Sequence, residues 1–219
     1  MSFSGMRIAA TISMGSTAGT STLASAILPT GAVRFTVNQG LYLGELPAGQ
    51  LDRVQTLATL LERAGIVAHV TPSIQSLEWS KYVMFLCLMA PAVLTRCETY
   101  KFLQDPHTAS VVASILHEMA ALATRQGIPL EDIALFPALT LSHLPQEDTV
   151  TALCQRGEQF AARVPTHKMS TLQDLEQGKR LEVKETLGYA VRQSAALGIP
   201  TPTMDVCYKL IAGINHYLH

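Results

Sequence analysis

Lys81 is the residue in this 219-residue chain whose surroundings most invite chemistry. It enters a stretch in which nothing from Tyr82 to Leu94 is charged, and on a 3.6-residue repeat Met84, Phe85, Leu88 and Met89 fall on its side of a helix. An ammonium in such company snorkels to water, pairs with a carboxylate, or is kept for its reactivity. Desolvation lowers the pKa of an amine, which makes it a better proton donor near neutral pH and suits it to a carbonyl oxygen gaining negative charge. The competing account is structural: Glu78 stands one turn earlier, and an i,i+3 pair at the mouth of a core helix explains both residues.

Other chemistries find less support. Gly15-Ser-Thr-Ala-Gly-Thr-Ser-Thr22 follows a candidate strand as a phosphate cradle would, yet it matches neither GxGxxG nor GxxxxGK[ST], and it reads as a flexible connection. The seven histidines are scattered without HExxH, so no metal is expected. Cys87, Cys97, Cys154 and Cys207 are far apart without CxxC, and GxSxG is absent, which argues against a disulfide framework and a serine hydrolase. A net charge of -1 supplies no basic field, which excludes counterion-driven binding to nucleic acid or an acidic membrane. The amino terminus has no secretory pattern, and reduced thiols in a cytoplasmic protein are expected. With 48% hydrophobic and 15% charged residues, the chain buries a large core.

Positioning Lys81 falls to Ser76 through Arg96, whose run from Tyr82 to Leu94 is apolar on every side and therefore reads as a central helix wrapped by others. It carries Pro91 and its uncharged run is shorter than the ~20 residues of a bilayer span, so core is expected, not membrane. Ahead of it, Arg7 to Ser13 reads as a short strand, and Ala32 to Val37 with Leu41 to Glu45 as a hairpin turning at Asn38-Gln-Gly40. Leu51, Val54, Leu57, Ala58, Leu61 and Ala64 form a helical stripe ending at Gly65, with a last strand over Val67 to Val70. Behind it the pattern is helical: Pro106 to Arg125 closed by Gly127, shorter pieces from Leu130 to Ala162 broken by Pro129, Pro137 and Pro145, and a short helix to Gln177. A long helix from Leu181 to Leu197 and a final one from Met204 to Tyr217 complete the chain. Ser170 stands where an N-cap would, with Gln173 completing a capping box. The expected fold is mainly α, a helical bundle with a small N-terminal β remnant, divided into 1–72 and 73–219.

Four patterns occur in order: Glu78-Trp-Ser-Lys81, Ser170-Thr-Leu-Gln-Asp174, Gly178-Lys-Arg-Leu-Glu182 and Gly198-Ile-Pro-Thr-Pro202. Together they resemble the ketopantoate reductase family, whose helical C-terminal domain carries Trp-x-Lys, Ser-x-x-x-Asp, Gly-Arg-x-x-Glu and Gly-Ile-x-x-Pro. The resemblance implies a bundle of the 6-phosphogluconate dehydrogenase C-terminal-like type, with an incomplete Rossmann domain in front whose last strands include the hairpin ending at Glu45. It implies Lys81 as the general acid, Glu182 as the acid that orients lysine and substrate hydroxyl, and Ser170 as a contact to the substrate carboxylate, with Trp79 beside them. On residues alone, Glu182 equally fits a solvated helix start and Ser170 a cap.

Two departures set the expected function. Where the family has asparagines one and two turns past the lysine, this chain has Phe85 and Met89, which wall an apolar pocket instead of hydrogen-bonding a hydroxy acid. The chain also begins beyond the family's glycine loop, so no dinucleotide platform and no cofactor is expected. The expectation is a non-redox cyclase or isomerase of secondary metabolism, acting on a bulky apolar carbonyl compound with Lys81 and Glu182 catalytic and Phe85, Met89, Ser170 and Trp79 at the substrate. The alternatives are an NADPH-dependent reductase and a non-catalytic binding module. A homodimer is expected to close the pocket, with no membrane or nucleic-acid partner.

Overall fold

Two long strands, β1 (Ser16–Ile27) and β2 (Val33–Leu46), pair antiparallel, and β3 (Ala68–Val70) joins β2 in parallel after α1 (Asp52–Arg63). These elements belong to the first of two compact units, Met1–Ile74 and Gln75–His219, in a computed structural model that describes residues 16–27, 30–46, 52–133 and 136–218. α1 turns Val54 and Ala58 inward onto Leu43 and Ala68, which make this unit's small core.

The β layer differs from expectation in two ways. Ser16 to Thr22 is strand, not flexible connection, because small side chains let a neighbour lie across them: a Cβ on Gly19 would sit 3.0 Å from Leu43 Cδ2. β2 also runs unbroken through Asn38-Gln-Gly40. The register passes from Ser21↔Leu41 to Leu23↔Asn38, so two β2 residues oppose one of β1, and Gly40 at φ 107° makes a bulge there and no turn. Arg7 to Ser13, Pro47 and Gly49 lie outside the described residues.

The second unit is helical around α2 (Ile74–Thr95), where Val83, Leu86, Cys87, Met89, Ala90, Ala92 and Val93 are fully buried. α2 is long and apolar enough to cross a membrane, but 72% of its most apolar window is buried within the protein, the mark of a core helix. It ends at Arg96, a non-glycine residue at φ 56°. Around it lie α3 (Thr99–Gln104), α4 (Pro106–Arg125), α5 (Ala138–Ser142), α6 (Gln146–Arg163), α7 (Ser170–Glu176), α8 (Leu187–Ala196) and α9 (Pro202–Tyr217), with a two-residue ladder of β4 (Asp132–Ile133) and β5 (Phe136–Pro137). Two of these helices have their first turns capped by a carboxylate. Asp105 caps α4 by accepting from Thr108 N at 2.9 Å, with Pro106 in the first turn. The Glu118 carboxylate of α4 accepts from Thr203 N and Met204 N at 2.8 and 2.9 Å, capping α9 from outside. This is the helical bundle with a small β portion that the sequence announces.

Two helix boundaries moved. The prolines break the stretch from Leu130 to Ala162 as expected, α5 following Pro137 and the 18-residue α6 following Pro145. α7 has Met169 as N-cap and makes no side-chain cap bond; Ser170 is its first helical residue, and Gln173 Nε2 instead donates to Lys168 O at 2.9 Å. α8 begins at Leu187, not Leu181. Over 181–183 burial alternates in, out, in, and Asn215 of α9 takes both backbone groups of Leu181, Oδ1 accepting from its N at 2.8 Å and Nδ2 donating to its O at 3.2 Å. A strand-like residue held by another helix cannot start its own.

Candidate active site

Between Ser76 and Val93, α2 is covered except along one strip of its N-terminal half. There Glu78, Lys81, Met84 and Phe85 are half-buried, while Leu88 and Met89 a turn further on are closed over. Spacings of three and four put the strip on one face. Burial holds the Lys81 amine below the ordinary lysine range, opposed by the Glu78 carboxylate. Burial likewise raises the Glu78 carboxyl, opposed by the Lys81 charge. A partly dehydrated amine beside two apolar side chains gives up its proton more readily than a surface lysine, which is what a donor to a carbonyl oxygen needs.

The residues on either side of Lys81 are pinned. Ser80 is fully buried, donates to Ser76 O at 2.7 Å and accepts from Glu131 N at 2.7 Å. Tyr82 donates its hydroxyl to Thr186 O at 2.7 Å, meets Trp79 edge-on with ring centres 5.8 Å apart, and lies 6.4 Å from the Tyr189 ring. Burial pushes the Tyr82 phenol far above its usual pKa, so it stays a neutral donor. The backbone that carries the amine is thus fixed at both neighbours. Neither Ser80 nor Tyr82 stood out in the sequence; the signal was a buried hydroxyl on each side of a charge, each of which must find a partner.

The expected site residues separate into three groups. Lys81 and Phe85 share the open strip. Trp79 and Met89 pack inside the core. Ser170 and Glu182 are exposed, the first on α7 and the second in the turn ahead of α8. That turn is tied to α2 through Tyr82 and Thr186, and Thr186 donates its N and Oγ1 back to Glu182 O at 3.1 and 2.6 Å. The charge of Glu78 acts on the Lys81 ammonium.

Among the described residues no three His, Cys, Asp or Glu side chains converge as a metal set. The glycine-bearing stretch from Ser16 is a paired strand, and α1 opens with Asp52.

Residues 73–215 match the family described as ketopantoate reductase PanE/ApbA C terminal. A 2-dehydropantoate 2-reductase of Mesorhizobium japonicum is 25% identical over 181 residues, covering 83% of this chain and 49% of the relative, so the chain spans about half the length of the relative it matches. The crystal structure of 2-dehydropantoate 2-reductase from Methylococcus capsulatus is 26% identical with a TM-score of 0.70, covering 92% of this chain and 59% of that one. A dimeric ketopantoate reductase from Staphylococcus aureus shares the fold at 14% identity and a TM-score of 0.71, over 93% of this chain and 62% of that one. These matches overturn the expected cyclase or isomerase: the relatives are named as reductases, and the apolar Phe85 and Met89 bear on which substrate fits, which does not by itself change a reaction type. With residues 73–215 matched, most of its helical unit, the chain belongs to the ketopantoate reductase family, by that family's C-terminal domain.

Proposed function

We propose that the helical unit is the carbonyl-handling part of a 2-dehydropantoate 2-reductase-like oxidoreductase acting on a small keto acid. The half-buried, pKa-lowered Lys81 on the open strip of α2 carries this reading. In it, Lys81 is the catalytic residue, its ammonium hydrogen-bonding the ketone oxygen and protonating it as negative charge develops. Phe85 and Met84 wall the substrate's hydrocarbon, while Ser170 and Glu182 contact its polar end. Trp79 and Met89 support the strip from within the core. Reduction also takes a hydride, and no hydride-transfer step is assigned to the described residues. A homodimer is proposed as well, after the dimeric Staphylococcus aureus relative.

Two measurements on the purified chain test the reading. Calorimetric titration with 2-dehydropantoate is expected to show binding that weakens about tenfold in Lys81→Met, the loss of one charged hydrogen bond. Oxidation of added NADPH, followed with and without the keto acid, asks whether the chain turns over. Wild-type protein that neither binds the keto acid nor oxidises NADPH in its presence ends the reading.

A further inference from the structure

The turn that carries Glu182 is held more firmly than an exposed segment needs. Glu182 is exposed between two buried neighbours, Leu181 at 4% and Val183 at 2% exposure. In front, Asn215 of α9 engages both backbone groups of Leu181, at 2.8 and 3.2 Å. Behind, Thr186 donates its N and Oγ1 to Glu182 O and closes the turn on itself. Arg192 of α8 adds a bond from Nη2 to Lys184 O at 3.2 Å. An acid that serves only solubility acts through its charge alone and gains nothing from a fixed backbone.

The long-range member of this frame is Tyr82. Its hydroxyl crosses from α2 to Thr186 O at 2.7 Å, which joins the turn to the helix of the lysine. The acceptor does not need it. Thr186 O already accepts from Tyr189 N at 3.0 Å and from Ala190 N at 3.3 Å, the first bonds of α8, so that carbonyl stays satisfied without Tyr82. Nor does packing need it, because a phenylalanine would fill the same space against the Trp79 and Tyr189 rings without bringing a polar atom into a buried position. What the hydroxyl adds is a tie. Tyr82 follows Lys81 directly in α2, so the tie sets the segment carrying Glu182 against the backbone carrying the amine. We propose that Tyr82 and Asn215 are positioning residues, clamping the 181–186 turn at its two ends so that Glu182 meets the polar end of the substrate whose ketone oxygen Lys81 holds. This deepens the reading of the site above and rests on it. Two groups that grip one small molecule must stand at a fixed separation, and a misplacement of about 1 Å costs up to ~10²-fold.

The test is a double-mutant cycle on the full-length chain, read by calorimetric titration with 2-dehydropantoate, across wild type, Tyr82→Phe, Glu182→Ala and the double variant. Tyr82→Phe is expected to weaken binding about fivefold with Glu182 present, the net worth of one hydrogen bond, and less than about twofold once Glu182 is replaced. A hydroxyl that serves only the fold would cost the same factor in both backgrounds, since its effect would not pass through the acid. Asn215→Leu, which frees the other end of the turn, forms a second cycle with the same expectation, and it decides the matter where Tyr82→Phe fails to fold. Equal losses in both backgrounds, or a Glu182→Ala variant that binds as tightly as wild type, overturn the positioning role while leaving the role of Lys81 intact. A wild type that does not bind the keto acid removes both.

Discussion

At the residue scale, Lys81 and Glu78 press on each other's titration from one strip of α2. Burial lowers the amine and the Glu78 charge raises it, so removing that charge must lower the amine further. An event that needs the ammonium is therefore lost on the alkaline side below the ordinary lysine value of ~10.4, and Glu78→Gln is expected to move that loss to lower pH. Lys81→Arg, which stays charged, is expected to abolish it. The pH dependence of keto-acid binding in the three proteins checks this. An alkaline limb that Glu78→Gln leaves in place would mean that Glu78 serves only the helix.

Between elements, α3 lies close on α6. A Cβ at Gly157 would lie 2.7 Å from Gln104 N and 3.0 Å from Leu103 C, backbone atoms that cannot rotate away. Gly157→Ala is therefore expected to destabilise the unit by about 1–3 kcal/mol in denaturant unfolding, against the gain that alanine normally brings to a helix. The α6–α7 connection reports differently. His167 binds α3 twice, its O accepting from Thr99 N at 2.9 Å and its Nδ1 meeting Thr99 Oγ1 at 2.8 Å, and burial lowers its pKa. With the folded value depressed, the unfolded chain binds the extra proton first as pH falls. Stability is then level above the unfolded value of ~6.5 and declines below it until the folded value is passed. Urea midpoints between pH 5 and 8 should show that decline in the wild type and a shallower one in His167→Gln.

For the whole molecule, the two units differ in what holds them. The described residues of Met1–Ile74 share a core of Leu43, Val54, Ala58 and Ala68, whereas Gln75–His219 wraps α2 in apolar side chains from seven other helices. Buried apolar area sets resistance to opening, so amides of β1, β2 and β3 are expected to exchange hydrogen well before those of α2 and α4. Uniform protection across both units would show that they open as one.

Local rules written in the residue order determined much of this chain. The all-round apolar run ensured that α2 would be the core helix, Gly65, Gly127 and Gly178 ended their helices at positive φ, and four spaced patterns marked the family. Lys81 was legible because a charge in an apolar run is costly unless something uses it. Tertiary structure decided the rest, wherever a long-range partner outbid local preference. Leu43 lying across Gly19 made a strand of a supposed linker, and Asn215 gripping Leu181 kept Glu182 off a helix. The hydroxyls of Ser80 and Tyr82 became the fixings of the lysine only once Glu131 and Thr186 were beside them. Periodicity reports which face a residue occupies; it carries no information about which distant backbone group will meet it there.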